Sequence, residues 1–501
     1  MGDMRFIVDP PGLIQDCPEA YRAYLSGADG RVFPTRVEIN GKLMVCRRES
    51  GESGKLHVAW PIPGHGRPVI CTTSLAEREE PYLLAVELAR GQISVVRDQL
   101  AAWEIEGAIV PDEFHEINRA AYQLFSQAAA SQNDSAEASR LACDSLAKAY
   151  EAAELLSLWY SKQQLDVRRR RSHHLPVLLG CSLGQGMPDA AWETRFCEAF
   201  NAASVPVSWN SIEPTQGKYE WAINDAQVEW CEKNKLLMYG GSLLDFAPKG
   251  LPQWLWQWEH DFLSLQSFIS DFVETAVSRY AGRIRLWEVA ARANTGGELA
   301  LSEENRLTLV ARSLEAARQI DEEIQLTLRV DQPWGDYQAR GQHRFSPIQF
   351  VDALVRSGVG LSGVNLEISI GYQPRGSGSR GLLDFSRLVD VWSSLGIPLH
   401  VTLAFPSSSG TDSQANSDLE VDSDQWKQPW SEAAQAEWIE LYLPVLMAHE
   451  EVLGIYWSYF CDKTPHNFPH AGLLRLDGTA KPGLDHIIKY RRAYWESDSN
   501  E

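Results

Sequence analysis

From residue 175 onward the sequence repeats one pattern eight times: a short apolar run, a loop and, in several repeats, an amphipathic segment. The apolar runs are nearly continuous and β-branched, which is typical of strands that are covered on both faces. Eight such units predict an α/β fold with a closed (β/α)₈ TIM barrel, since no glycine-rich phosphate loop of an open doubly wound sheet follows the first strand. The predicted strands are Val177–Ser182, Ser204–Trp209, Leu236–Leu244, Ile284–Ala290, Gln325–Asp331, Gly363–Ile370, Pro398–Phe405 and Leu453–Tyr459.

The segments before the barrel have different patterns. Residues 1–110 carry short apolar runs between glycine-containing turns, which predict a β-sandwich-like domain that either binds glycan or serves as a structural cap. The predicted strands there are Arg36–Ile39, Lys55–Trp60, Val69–Thr72, Tyr82–Leu88 and Gln92–Val96. Helical spacing of apolar residues in 111–174 predicts a helical hairpin or linker. The barrel then occupies 175–501.

The overall composition excludes several classes of function. A net charge of -21 argues against a nucleic-acid-binding protein, which needs a basic face. The chain has neither a signal-peptide pattern at its start nor an apolar run of membrane-spanning length, so we expect no membrane partner and a cytoplasmic protein. The eight cysteines are scattered without metal-ligand spacing, and we expect neither a metal nor a cofactor.

Several barrel segments resemble glycoside hydrolase family 10, the retaining endo-xylanases. The run from Trp209 to Pro214 is similar to the family's second-strand W-x-x-I-E-P motif, and Arg279 to Val289 is similar to the approach to its fourth strand. Leu251 to Trp254 matches L-P-x-W, and Lys481-Pro482 matches the K-P that follows the eighth strand. The resemblance runs from about residue 175 to 495 and implies the barrel fold and a carbohydrate ligand.

The residues that the resemblance would make catalytic differ in this chain. The family's acid/base glutamate closes a W-D-V-V-N-E motif, and Arg292 stands at that position. The family's nucleophile lies in I-T-E-L-D on the seventh strand, and the resemblance places Leu403 there. An arginine, with a pKa above about 12, donates no proton at neutral pH, and leucine has no nucleophilic atom. The usual mechanism, with two carboxyls about 5–5.5 Å apart, is therefore expected to be absent.

Site residues of such barrels come from the C-terminal ends of the strands, and several polar and aromatic residues remain there. The candidate catalytic residues are Glu367, Asp245 and Asp331, where Glu367 and one of the two aspartates would form a displaced pair of carboxylates. The candidate substrate-binding residues are Glu288, Arg292, Arg329, Trp209, Trp334, Tyr372, Trp457, Tyr459 and Asp462. Alternatively the two arginines pair with neighbouring carboxylates, as buried arginines require, or clamp the carboxylate or sulfate of an acidic glycan.

Three functions remain open from the sequence. The first is a pseudoenzyme-like protein that binds or processes an oligo- or polysaccharide, with an anionic glycan as one alternative. The second is an active glycoside hydrolase or lyase that acts on an acidic or unusual glycan with relocated carboxylates. The third is a structural or partner-binding scaffold, which would be favoured by a mouth closed by ion pairs and by the Ser- and Asp-rich segment 407–425.

Overall fold

The computed structural model describes residues 2–15, 17–172, 174–186, 189–423 and 425–495. In the first part of the chain, short strands form two four-stranded sheets, ordered β4-β5-β1-β8 and β3-β2-β6-β7. We call residues 2–83 the β-module. Its strands are β1 (Gly2–Ile7), β2 (Tyr24–Ser26), β3 (Val32–Phe33), β4 (Arg36–Asn40), β5 (Leu43–Arg48), β6 (Lys55–Ala59), β7 (Val69–Cys71) and β8 (Tyr82–Leu83). The two sheets share one hydrophobic core, which includes Phe6, Leu25, Met44, Leu56 and Trp60.

Helices follow the β-module. A short helix within the module is α1 (Gly12–Gln15), and the long ones are α2 (Leu84–Ile105), α3 (Asp112–Ala130) and α4 (Ser135–Arg171). Asp134 caps the start of α4, because its side chain accepts a hydrogen bond from the Glu137 amide. Helix α4 packs against the barrel helices α11 and α12, whose ranges are given below. The predicted helices over 111–174 are therefore present.

The prediction of strands beyond Leu83 is wrong, because α2 occupies this region. The Arg90-Gly91 pair suggested a turn, but Gly91 lies inside the helix, where α2 packs closely on β7. A Cβ at Gly91 would lie 2.0 Å from the carbonyl oxygen of Cys71. The glycine is thus required by the close approach of helix and strand.

The barrel is closed and parallel, in the order β10-β11-β12-β13-β14-β16-β18-β9. Its strands are β9 (Leu178–Ser182), β10 (Ala202–Val205), β11 (Leu237–Asp245), β12 (Leu286–Ala291), β13 (Gln325–Asp331), β14 (Gly363–Ser369), β16 (Leu399–Ala404) and β18 (Val452–Trp457). A small antiparallel pair, β15 (Tyr372–Gln373) and β17 (Glu420–Val421), lies in the loops above it. The predicted (β/α)₈ barrel is confirmed, with each predicted strand overlapping an observed one.

Several barrel helices begin at a residue whose side chain caps the first turn. Ser346 and Gln349 form a reciprocal capping box at the start of α10, and Gly358 ends that helix in a left-handed conformation. The helices are α5 (Glu193–Ala199), α6 (Trp209–Ile212), α7 (Ala222–Lys233), α8 (Phe262–Arg279), α9 (Glu303–Ile320), α10 (Pro347–Ser357), α11 (Leu382–Ser393), α12 (Glu432–Ala448) and α13 (Pro482–Trp495). In the described ranges, no helix has both the length and the apolar character needed to cross a membrane.

Candidate functional site at the barrel mouth

Two arginines at the C-terminal ends of the strands are held by carboxylates. Arg292, directly after β12, donates from Nε and Nη2 to the two oxygens of Glu367 at 3.0 and 2.7 Å, and from Nη1 to Asp245 at 2.6 Å. Arg329 on β13 lies 2.9 Å from Glu288 and 3.3 Å from Glu367. Both guanidinium groups therefore lie in ion pairs, and Glu367 is shared between them.

The ion pairs keep both arginines charged. Burial lowers the pKa of Arg292, but the negative charges of Asp245 and Glu367 raise it by more, so that it stays above its ordinary value. Burial and the charges of Glu288 and Glu367 have the same opposed effects on the pKa of Arg329, which is also raised. Neither group can act as a proton donor at neutral pH.

A polar layer inside the barrel holds Glu288 in place. The hydroxyl of Tyr239 and the amide of Asn365 donate to its Oε2 at 2.8 and 2.7 Å, and Ser242 donates to its Oε1. Thr402 donates in turn to Asn365 at 3.0 Å. Barrel interiors are usually filled by branched apolar side chains. The interior of this barrel is thus polar at a level where such barrels are usually apolar.

Asp331, at the end of β13, is a buried carboxyl group whose acidity is reduced. It is 2% exposed and receives hydrogen bonds at 3.3 Å from Thr295 and Gln332. Burial raises its pKa to about 6, and the charge of Glu367 acts in the same direction, against the effect of Arg292. It lines a cavity of only about 20 Å³ beside Arg292 and Glu367, which leaves no room for a sugar next to it.

A larger cavity, which we call the mouth cavity, lies above the ion pairs and has a volume of about 140 Å³. Asp245, Arg292 and Arg329 form part of its wall, and most of the remaining polar groups are hydroxyls and amides. These are Ser182, Ser204, Ser208, Tyr239, Ser242, Thr402, Tyr456, Ser458, Gln185, Asn416 and Asn467. The Tyr456 side chain is 2% exposed, and among the described residues its hydroxyl has no hydrogen-bond partner. A buried polar group of this kind calls for a partner that the described protein does not supply.

The segment 407–425 covers one side of the mouth cavity. Asn416 lines the cavity, and its amide donates to the His466 carbonyl at 2.9 Å. The Asp412 carboxylate lies 2.9 Å from Nε2 of His466, whose ring stacks on Tyr459 at 4.2 Å. Burial raises the pKa of Asp412, but the hydrogen bonds from His466 and the His470 amide lower it by more, so that it stays well below its usual range. The cover is thus fixed by hydrogen bonds that Asp412 forms with His466 and with the His470 amide.

The predicted aromatic residues divide into two groups. Trp457 and Tyr459 line the mouth cavity, although both are nearly fully buried. Trp209 instead lies in the core, where it stacks on Phe272 at 4.7 Å. The Trp334 ring packs against Phe385 at 5.3 Å. The rings therefore do not form one aromatic groove, because their apolar faces are used by the barrel core.

Two further candidates lie outside the mouth cavity. Tyr372 lines a separate cavity between the β-module and the barrel and donates to the Pro469 carbonyl at 3.1 Å. Asp462 accepts a hydrogen bond from Lys481 at 2.6 Å, and both side chains are buried. Asp462 also lies near Asp412 and His466 in a group with the right atoms for a metal. The Lys481 ammonium already neutralises its carboxylate.

The placement of Leu403 at a site position is corrected by the direction of its side chain. Leu403 packs outward with Trp438 and Ile487 of the helix layer, whereas Thr402 points into the barrel. Neighbouring strand residues face opposite sides, so an error of one residue in alignment exchanges the two faces. The inward residues near the end of β16 are Thr402 and Ala404, and neither carries a carboxylate.

Sequence reasoning missed the polar residues within the strands. Tyr239, Asn365 and Tyr456 stand among apolar neighbours, and the strand pattern does not separate them from ordinary strand residues. A polar residue in a strand covered on both faces needs a buried partner, and that mismatch is the signal which could have identified them.

Comparison with known proteins gives the same fold. Residues 199–402 match the model of glycosyl hydrolase family 10. The Thermotoga neapolitana endo-1,4-beta-xylanase B is 30% identical over 87 residues, which are 17% of this chain and 25% of that protein. The Hypocrea jecorina endo-1,4-beta-xylanase 3 is 31% identical over 124 residues, which are 24% of this chain and 35% of that protein. The chain thus matches between a quarter and about a third of the length of these relatives.

The structural comparison covers a larger part of the chain. The structure of a family 10 endoxylanase from a sugarcane soil metagenome has a TM-score of 0.50 and 14% identity, with 65% of this chain and 99% of that chain covered. At this identity the similarity shows the fold. The resemblance stated from the sequence is therefore confirmed for residues 199–402 and for the barrel, and the replacement of the catalytic glutamates stays a prediction.

Proposed function

We propose that the mouth cavity binds a saccharide unit and that the protein does not hydrolyse xylan by the usual pair of glutamates. The observation that carries this proposal is the hydroxyl- and amide-lined mouth cavity with the unpartnered hydroxyl of Tyr456 at its wall. Sugars present hydroxyl groups that both donate and accept hydrogen bonds, and such a wall matches them in kind.

The size of the mouth cavity limits the ligand. Small-molecule sites usually occupy about 300–1,000 Å³, so a cavity of about 140 Å³ suits a single sugar ring rather than several. Trp457 and Tyr459 add aromatic surface to the polar wall. The ligand we propose is therefore one sugar or the end of a saccharide chain.

The charge network supports the absence of xylanase chemistry. Retaining hydrolysis needs one carboxylic acid and one free carboxylate nucleophile. At the mouth, Asp245 and Glu367 are joined to the same guanidinium group of Arg292. A carboxylate held this way is a weak nucleophile, and the arginine between them offers no proton.

Binding and hydrolysis can be tested with one variant. Tyr456→Phe removes only the unpartnered hydroxyl, so the variant should fold. We expect calorimetric titration of the parent with xylose, glucose and xylo-oligosaccharides to find a ligand, and Tyr456→Phe to bind it about 2- to 10-fold more weakly, the effect of one hydrogen bond. Tyr490→Phe is the control, because that hydroxyl donates to the Glu440 carbonyl away from the mouth.

The outcomes separate the alternatives. Equal affinity of Tyr456→Phe and the parent, or no saccharide bound, would contradict the proposal. Release of reducing sugar from xylan that disappears in Asp245→Asn or Glu367→Gln would instead support an active hydrolase with relocated carboxylates.

A second candidate function is the scaffold, and one observation favours it. The segment 407–425 covers one side of the mouth cavity, and the ion pairs of Arg292 and Arg329 lie beneath the cavity. In this alternative the polar layer stabilises the barrel only, and the surface formed with the β-module carries the function. Absence of binding to every saccharide, together with a stable fold, would be the expected result.

A further inference from the structure

A second and larger cavity, which we call the module cavity, lies between the β-module and the barrel and has a volume of about 270 Å³. One wall comes from the β-module and includes Arg22, Tyr24 and His57. The opposite wall comes from barrel loops and includes Gln332 and Arg340. Neither part of the chain forms this cavity without the other.

The two walls are held together by polar contacts. The Tyr24 hydroxyl donates to Asp336 at 2.7 Å, and Arg380 donates to the same carboxylate at 2.7 Å. Backbone hydrogen bonds join Val69 to Ser379 at 2.8 Å. These contacts join the β-module to the barrel loops at the module cavity.

The charges around the module cavity are paired, with one exception. The ion pairs at its wall are Arg22 with Asp422, Arg375 with Asp418, Arg380 with Asp336 and Arg67 with Glu19. Burial lowers the pKa of His57 to about 3, so that this ring is neutral. Within the residues that the structure describes, Arg340 has no hydrogen bond or ion pair, and its side chain is partly exposed to solvent and partly packed in the cavity wall. The wall therefore carries one positive charge without a partner.

The surroundings of Arg340 favour an anion. Burial lowers its pKa, and the positive charge of Arg22 acts in the same direction, against Asp336 and Asp422. An anion bound in the cavity beside Arg340 would offset both of these effects on its guanidinium group. Arginine binds planar carboxylates through paired donors, which suits this position.

The rest of the wall suits a sugar. It contains amide and hydroxyl groups from Thr295, Gln332, Gln373 and Gln425, together with the rings of tyrosines. Small-molecule sites usually occupy about 300–1,000 Å³, and the module cavity, at about 270 Å³, is close to the smallest of them. It is larger than a bare acetate ion needs. A single surplus charge matches a carboxylate better than a phosphate monoester, whose charge at pH 7 is about -1.5 to -2.

We propose that the module cavity binds a monosaccharide carrying one carboxylate, with Arg340 as the group that recognises the carboxylate. This site is separate from the mouth cavity and requires the β-module. It gives the β-module a role in ligand binding.

The test is calorimetric titration of the full chain with D-glucuronate. We expect one site per chain, and we expect glucose and xylose to bind at least about 10-fold more weakly, since a charge-assisted contact is lost. Arg340→Gln should weaken glucuronate binding by about 10- to 100-fold, and Arg340→Lys should restore part of the affinity. Glucose 6-phosphate distinguishes a carboxylate site from a phosphate site.

The matched control is Arg344→Gln, which lies in the same loop region but pairs with Glu304 outside the module cavity. It should leave the affinity for glucuronate unchanged. Equal affinity of Arg340→Gln and the parent, equal binding of glucose and glucuronate, or no binding of glucuronate would each overturn the proposal. Tighter binding of glucose 6-phosphate would overturn the assignment to a carboxylate.

Discussion

The C-terminal face of the barrel contains two arginine-lined regions with opposite charge balance. At the mouth, Arg292 and Arg329 meet three carboxylates, those of Asp245, Glu288 and Glu367, and both guanidinium groups are engaged. At the module cavity the other charged groups are paired, and Arg340 has no partner among the described residues. The arginines of the two regions therefore differ in what they can bind.

The comparison shows that an arginine near a cavity is informative about ligands only when its donors are unused. Arg292 stands where the resemblance places an acid, and this position is the reason for the hypothesis that Arg292 binds an anionic group of a glycan. Its three donor nitrogens already contact carboxylates. An arginine engaged in this way stabilises the fold, whereas one without a partner is available to a ligand.

The largest expected effect is the loss of stability on removing the central arginine. Arg292→Met leaves Asp245 and Glu367 without this guanidinium group in a buried site, and breaking such a pair costs about 3–5 kcal/mol. Urea denaturation at pH 7 measures the free energy of unfolding. A loss below about 1 kcal/mol would mean that the carboxylates are solvated or neutralised in another way, and the contrast with Arg340 would disappear.

A smaller effect concerns the protonation of Asp331. Burial and Glu367 raise its pKa from 3.8 to about 6, so that the folded state holds this proton more tightly than the unfolded state. The contribution to stability is complete below pH 4 and is lost as the pH rises through 6. We therefore expect Asp331→Asn to gain about 1–3 kcal/mol relative to the parent between pH 4 and pH 7.5.

Urea denaturation of both proteins at the two pH values measures this gain. The difference between variant and parent isolates Asp331 from the other groups that titrate in this range. A difference that does not change with pH would show that folding does not raise the pKa of Asp331.

The barrel could be predicted because its signals are local. Each strand is an apolar run in the sequence. Helices such as α10 begin at a capping serine, here Ser346, so that the spacing of the apolar residues and the capping residue indicate the same helix start. The error over α2 arose because Gly91 has two physical uses. A glycine allows a turn, and it also allows a helix to approach a strand, which only the tertiary contact with Cys71 decides.

The site could be predicted only in part. The sequence brings Asp245, Glu288, Arg292, Arg329 and Glu367 to one end of the barrel, because parallel strands end on the same side. Which atoms pair depends on side-chain direction, and one residue of register decides whether Leu403 or Thr402 faces inward. Contacts such as Tyr24 with Asp336 join segments more than 300 residues apart, and no local pattern indicates them.

The smallest expected effect sharpens the comparison most, because it uses the same substitution in the other region. Arg340→Met removes a guanidinium group without a partner, and such exposed substitutions usually change stability by less than about 0.5 kcal/mol. Relief of the repulsion from Arg22 favours a slight gain over a loss. If urea denaturation shows a loss above about 1 kcal/mol, Arg340 contributes to the fold as Arg292 does, and the free charge assigned to the module cavity does not exist. If the loss is negligible while the affinity for glucuronate falls, Arg340 contributes to ligand binding and not to the stability of the fold.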